Sequence, residues 1–343
     1  MAKKGVLLIN VGTPDEPTIK SVKKYLKEFL LDPDVIDIPA PLRHLLVRGI
    51  ILRVRPKKIA PLYQKIWMTD GSPLRVYSDR ITKSLESKLS EIEFEFSMRY
   101  GNPSIYDSLL KLKNRGVEEL LILPMFPHHA QATTESSLKH TYKQLRKMDW
   151  NPRIIEMGHF ETEEEYVVPL ANSIGPQLDE DTHLLFSYHG LPVSHVKRID
   201  NSKNHCQKKG DCCSIKSDAN SLCYGHHCME TTKIVVGLLG LEPDRWSMSF
   251  QSRIGPVKWL EPSTMNKVEE LVKRGVKKLA IVAPAFLADG LETLEELDIG
   301  IREHFTELGG EELTVIKCLN DNEDWVEGLG KMITKKFMST VIV

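Results

Sequence analysis

Short apolar runs alternate along the chain with longer stretches in which hydrophobic positions recur every three or four residues. Eight runs, at 5–11, 94–99, 120–126, 153–157, 184–188, 246–250, 279–286 and 313–318, are mostly rich in Val, Ile, Leu and Phe. They lack clean polar alternation, the pattern of strands buried on both faces. Helical spacing between them is clearest at 103–115, 133–146 and 264–274. Strand, helix, strand in succession predicts an α/β fold with parallel sheets flanked by helices.

The chain also resembles itself. N-R-G-V-E-E-L-L-I-L-P-M-F at 114–126 matches K-R-G-V-K-K-L-A-I-V-A-P-A-F at 273–286, with one extra residue in the second copy. Upstream, F-S-M-R-Y at 96–100 echoes W-S-M-S-F at 246–250; downstream, a helix start with a glutamate follows near Glu135 and near Glu292. Two related α/β domains facing across a cleft are expected, with ligands outside the carboxyl ends of strands. The length of 343 residues also suggests about two domains. The expected boundaries are 1–150, with a lip segment at 36–58; 151–318, with a cysteine-rich insert at 203–228; and a C-terminal helix at 319–343 packing back on the first domain.

Composition narrows the function classes. Lys+Arg is 46 against Asp+Glu 47, which argues against a general nucleic-acid binder. The longest apolar run, 279–288, is ten residues and contains Pro284, whereas a membrane span needs about 20. Lys3 and Lys4 precede an apolar stretch that stops at Asn10 without a small-residue cleavage site, so it reads as a buried first strand of a cytoplasmic protein.

Four segments carry candidate chemistry. The strand at 184–188 runs into His189, and Gly190 and Pro192 stop it there. An imidazole at a strand end can accept a proton near neutral pH or ligate a metal, or simply be satisfied by loop backbone. After the strand at 279–286, Asp289 and Glu292 have capping-box spacing, and Glu292 and Glu296 share one helical face. This acidic row caps a helix, holds a cation or removes protons. Residues 41–60 hold six Lys/Arg and no acid, with Leu42, Leu45, Leu46, Gly49, Ile50 and Val54 at helical spacing. Such a helix packs on its own domain, lies on a membrane surface or covers an apolar anionic ligand. Five of the six cysteines, Cys206, Cys212, Cys213, Cys223 and Cys228, crowd into 23 residues; Cys318 is expected in a strand as inert core. The crowding suits a metal or a [2Fe-2S] cluster held by four of the five thiolates, with His205, His226 and His227 as alternative ligands. The spacing selects neither zinc nor cluster.

Taken together, the chain resembles the ferrochelatases, which insert ferrous iron into a porphyrin to finish haem. The resemblance rests on L-L-I-N-V-G-T-P at 7–14, F-L-L-D-P-D-V-I at 29–36, G-S-P-L at 71–74, M-R-Y-G at 98–101, F-S-Y-H-G-L-P at 186–192, F-Q-S-R-I-G-P-V-K-W-L-E-P at 250–262 and A-D-G-L-E-T-L-E-E-L-D at 288–298. It implies two Rossmann-like, chelatase-like domains with the porphyrin in the cleft between them. His189 corresponds to the family's active-site histidine, Glu292 to the glutamate facing it and Glu296 to the next acid. Arg99, Tyr100 and Trp259 correspond to positions lining the porphyrin pocket, with Arg99 a candidate partner for propionates. Leu42 and Leu46 belong to an apolar lip that approaches the membrane in many members. Several members carry His where this chain has Gly290. The implied reaction takes Fe2+ and protoporphyrin IX to protohaem with release of two protons. The alternatives are a coproporphyrin or other tetrapyrrole chelatase, a non-catalytic tetrapyrrole carrier, and a redox sensor built around the cysteines. The expected partners are porphyrin and ferrous iron, not nucleic acid, with peripheral contact at the inner membrane from the cytoplasmic side. The oligomeric state is left open.

Overall fold

A computed structural model describes residues 2–208, 210–253 and 257–339. Lys209 of the insert, Ile254, Gly255 and Pro256 of the 250–262 motif, and 340–343 of the expected C-terminal helix lie outside the described residues. All eight apolar runs are strands: β1 Lys4–Gly12, β2 Ile92–Tyr100, β3 Glu119–Pro124, β4 Arg153–Glu156, β5 His183–His189, β6 Trp246–Gln251, β7 Lys278–Val282 and β8 Glu312–Val315. They form two four-stranded parallel sheets, ordered β2-β1-β3-β4 and β6-β5-β7-β8. The expected ends of four runs are too late, that of 153–157 by a single residue. Apolar residues continue past β3, β7 and β8 into buried exit loops, at Met125, Ala283 and Ile316. Cys318 therefore sits in the loop after β8 rather than in a strand.

The chain divides into two compact units. One contains the residues through Phe126, Gln131–Gly158 and those from Asn320 onward; the other contains Pro127–Ala130 and His159–Leu319. The boundary expected at 150 is corrected by β4, which pairs with β3 and so completes the first sheet. The helix Glu323–Ser339 belongs to the first unit, where Gly330 lies against Leu85 and Leu89.

Each unit packs helices on its sheet in the same manner. In the first, Leu7, Ile9, Leu120 and Ile122 meet Ile105, Leu109 and Leu112 of the helix Ile105–Asn114. In the second, Leu185, Leu279 and Ile281 meet Val268 and Leu271 of the helix Thr264–Lys273. Each such side chain contributes about 1.5–3 kcal/mol through burial. Both helices begin alike: Ser104 Oγ accepts the Asp107 N–H and Ser263 Oγ accepts the Asn266 N–H, each at 3.2 Å. Before each cap stands a cis X–Pro bond, and the prolyl carbonyls of Pro103 and Pro262 accept from Met98 N and Phe250 N, both at 2.8 Å.

Register corrects one detail of the internal repeat. Leu8 lies between Phe96 and Leu123, and Phe186 lies between Met248 and Val282. Phe96 thus corresponds to Met248, two residues later than the expected match of 96–100 with 246–250. A two-residue slip keeps every side chain on its own face, so the apolar pattern could not distinguish the two alignments. In this register Val11-Gly12 corresponds to His189-Gly190, and Arg99 to Gln251.

Candidate active site

Strand β5 delivers His189 to its carboxyl end, paired with Gln251 of β6. The Gly190 N–H donates to the Gln251 carbonyl at 2.8 Å. A Cβ on Gly190 would stand 2.7 Å from that carbonyl oxygen and 3.2 Å from Trp259 Cε3, so the close approach requires glycine. The Gly190 carbonyl in turn accepts from His189 Nδ1 at 2.7 Å. A carbonyl only accepts, so Nδ1 carries the proton and the lone pair of the neutral ring is on Nε2. Phe286 packs edge-on against the ring, centroids 6.0 Å apart.

The acidic row stands on a ten-residue π-helix, Glu292–Ile301. Its wider turn keeps residues four to five apart on one side, and such turns frequently occur at functional sites. The capping box expected from Asp289 and Glu292 is absent among the described residues. Asp289 instead accepts from Thr293 Oγ1 at 2.9 Å and from Cys318 N at 3.3 Å, because its carboxylate is buried beside those donors. Burial pushes the Glu292 carboxyl above its ordinary range, against the opposing electrostatic influence of His189 nearby. Gln251 Nε2 donates to the Glu292 carbonyl at 3.2 Å, and Ser187 Oγ fixes Gln251 Oε1 at 2.6 Å. Glu296 accepts the Ser252 N–H at 2.9 Å and its hydroxyl at 2.5 Å. Ser252 is held at φ +64°, a conformation costing on the order of 1–3 kcal/mol that the two Glu296 bonds offset. Trp259 is buried and its segment is tied to the loop after His189, Leu260 N donating to Leu191 O at 2.9 Å.

In the first unit, Arg99 and Tyr100 end β2, but their polar groups are engaged. The Arg99 guanidinium bridges to Asp32 and donates through Nε to Ser136 Oγ at 2.8 Å. Tyr100 donates to Asp32 Oδ2 at 2.8 Å, and Ser136 Oγ does so at the same distance. Tyr100 is 1% exposed. Burial works to raise the Asp32 carboxyl, but the Asp34 N–H, Arg99 and the two hydroxyls together hold it below its ordinary range. The Arg99 guanidinium, expected to pair with propionates, is engaged in this internal bridge. Asp32 and Ser136 went unnoticed in the sequence; Asp32 lies inside the 29–36 motif, its only signal.

The lip segment forms the helix Ala40–Leu46, a π-helical turn Val47–Ile51 and the helix Leu52–Ile66. Val47 and Leu52 are buried, whereas Leu42 is 57% exposed, Leu45 69% and Ile50 60%; Leu46 is half-buried. Arg43 anchors the segment by donating to the Ile38 carbonyl at 2.8 Å.

Four thiols of the insert share one environment. Cys213 hydrogen-bonds to both Cys223 and Cys212, and Cys206 interacts electrostatically with Cys223 and Cys212. Cys223 caps the helix Tyr224–Leu239; the Cys213 thiol and the N–H groups of His226 and Gly225 pull it below the ordinary thiol range. Asp200 Oδ2 accepts the N–H groups of His205 and Cys206 at 2.9 and 2.8 Å. Cys228 is paired with Tyr224 and also interacts electrostatically with Cys223. His205 and His226 pair with the carbonyls of Cys212 and Cys213 at 2.9 and 2.8 Å.

A His159–Glu161–His227 group also has ligand-type atoms within 4.8 Å of one another. His227 Nδ1 accepts the His129 N–H at 3.2 Å, which leaves Nε2–H to donate to the Ser221 carbonyl at 2.8 Å. Both ring nitrogens are occupied, and burial pushes His227 down to about 4. His159 donates to Glu161 at 2.7 Å and helps keep that buried carboxylate ionised. The group is a hydrogen-bonded His159–Glu161 pair with His227 beside it. A groove of about 730 Å³ in the first unit is lined by Arg75, Asp79, Arg80 and Lys83, with Lys83 on Asp79 at 2.6 Å, and includes none of the site residues.

The ferrochelatase family description matches residues 3–337. The ferrochelatase of Pseudomonas fluorescens (strain Pf0-1) is 40% identical over 334 residues, covering 97% of this chain and 98% of that protein. The ferrochelatase of Coxiella burnetii (strain Dugway 5J108-111) is 41% identical over 342 residues, covering 97% and 94%. Among solved structures, SirB from Bacillus subtilis with Fe3+ is similar in fold, with a TM-score of 0.54 at 12% identity, covering 97% of this chain and 95% of that one. With matches of this extent and identity, the chain belongs to the ferrochelatase family, enzymes that insert iron into a porphyrin.

Proposed function

We propose that His189 is the base that removes pyrrole protons as Fe2+ enters protoporphyrin IX. The observation that carries this reading is the Nδ1–H bond to the Gly190 carbonyl at 2.7 Å, which leaves Nε2 as the accepting nitrogen. Metallation releases two protons, and Glu292, whose charge is opposed by burial and favoured by a protonated His189, is suited to take part in that exchange. Glu296, fixed by Ser252, adds a positioned carboxylate; imidazole and carboxylate together are a donor set that holds Fe2+. Trp259 presses on the loop after His189 and is assigned to porphyrin binding. Arg99 and Tyr100 act on it through the Asp32 network rather than as free groups.

Leu42 and Leu46 of the lip are assigned to apolar contact with the macrocycle. The exposed Leu42, Leu45, Ile50 and Val54, set among six Lys/Arg in residues 41–60, suit an anionic membrane surface. No helix among the described residues is long and apolar enough to cross a membrane. The lip supports peripheral contact at the inner membrane from the cytoplasm.

Cys206, Cys212, Cys213 and Cys223 fit a [2Fe-2S] cluster by the chemistry of their donor set, four mutually interacting thiols with one at a helix N-terminus. When bound, that group supplies a covalent tie across the insert.

The test is anaerobic metallation of protoporphyrin IX, followed by loss of porphyrin fluorescence, with His189→Ala beside it. The expected result is abolished turnover with porphyrin binding largely intact. Near-normal turnover in the variant overturns the assignment. Turnover by the wild type with coproporphyrin alone would move the substrate to that ring.

A further inference from the structure

We propose that Tyr224 is a positioning residue that links the cysteine insert to His189 by fixing the peptide between His189 and Gly190; this rests on the reading of His189 as the base. Tyr224 follows Cys223 directly and opens the helix Tyr224–Leu239. Its ring is buried, edge-on to His128 with centroids 5.9 Å apart. Its hydroxyl donates to the His189 carbonyl at 2.9 Å. Cys228, fully buried one turn later, lies beside the phenol. Among the five, Cys228 is distinguished by its partner Tyr224, and that place gives it a different task.

The His189–Gly190 peptide is then held at both ends. Gln251 takes its N–H at 2.8 Å and Tyr224 takes its carbonyl at 2.9 Å. Gly190 is the residue best able to rotate if one hold is lost. The next carbonyl along, that of Gly190, is the one that accepts His189 Nδ1–H at 2.7 Å. The order of dependence is Tyr224, the peptide, the Gly190 carbonyl, and finally the tautomer and aim of the imidazole, with Cys228 packed behind the phenol. Tyr224 touches no reacting atom in this scheme. It gives the insert, wherever its thiols are drawn, a direct mechanical hold on His189.

The decisive variant is Tyr224→Phe, which keeps the ring and removes one hydroxyl. Full-length protein is purified anaerobically and its iron and sulfide content measured. Turnover is assayed, and the His189 ring nitrogens are read by long-range 1H–15N NMR, assigned by their loss in His189→Ala. We expect kcat about tenfold lower, because small misplacements of a catalytic group are costly. Porphyrin KM and iron content should remain those of the wild type, and the His189 nitrogen shifts should move from a single tautomer towards an average of two. Wild-type kcat with unmoved nitrogen shifts overturns the proposal. Cys228→Ala is the second variant. Retained iron and sulfide with a smaller fall in kcat supports the link; loss of the iron places Cys228 among the ligands and overturns its assigned task. Turnover surviving in His189→Ala removes the base assignment, and is distinguishable because the nitrogen shifts still report on the Tyr224 hold.

Discussion

The two units have the same strand order, the same Ser-capped helix after a prolyl turn, and a π-helical turn after the third strand, at Gln131–Glu135 and Glu292–Ile301. Their strand ends nevertheless differ in kind. Val11 stands where His189 stands, and Arg99 where Gln251 stands. Ser136 and Glu296 each lie ten residues past a matching phenylalanine, Phe126 and Phe286. In the first unit the polar groups saturate one another: Arg99, Tyr100 and Ser136 all converge on Asp32. In the second, Glu292 is held where burial opposes its charge. One scaffold therefore carries, in one unit, a carboxylate whose charge is balanced and, in the other, a carboxyl whose charge burial opposes.

That contrast can be broken by substitution. The largest effect is expected from Glu292→Gln, with turnover lower by about 10²–10⁴-fold and stability equal to or above wild type. The sign follows from the raised folded pKa: the folded state holds this proton more tightly than the unfolded one, so ionisation of Glu292 lowers stability as pH rises through and above the ordinary carboxylate range. Chemical denaturation at neutral pH, together with the metallation assay, checks both halves; a destabilised variant would count against the contrast.

Asp32→Asn should do the reverse, lowering stability by about 3 kcal/mol because a half-buried Arg99 loses its counter-charge. Here the folded pKa is depressed, so the stabilisation is complete above the ordinary value of 3.8 and is lost as pH falls through the lower folded value. Urea midpoints of wild type and variant should therefore converge in strong acid. The smallest effect sharpens the likeness between units: Ser104→Ala and Ser263→Ala should each cost about 1 kcal/mol. Unequal losses would show that the two caps, matched at 3.2 Å, are not equivalent.

Much of the fold was legible because strands buried on both faces read as unbroken apolar runs, and β1, β5 and β7 are of that kind. The strand exits were not, since Met125, Ala283 and Ile316 are buried in loops and look like more strand. The π-helix was not legible either: Glu292 and Glu296 align on a face in both α- and π-geometry. His189 could be found because Gly190 and Pro192 end the strand around it. Its tautomer required the fold, because the Gly190 carbonyl has to be aimed. The Asp32–Arg99 bridge joins residues 67 apart, a pairing that no local pattern announces. The cysteines announced themselves as a group, but only the fold pairs Cys228 with Tyr224.

The division of the chain has a consequence for how the protein is made. The first unit is built from residues through Phe126 and from Gln131–Gly158, but also from Asn320 onward. Its share of that last stretch is substantial: Trp325, Leu329, Ile333 and Phe337 are all buried. A ribosome emits those residues only after the whole of His159–Leu319 has emerged. The unit begun first is thus finished last, and throughout synthesis it exposes the apolar seat of the helix Glu323–Ser339 to solvent and to chaperones. The body translated later is the one able to close its core while the nascent chain is still attached.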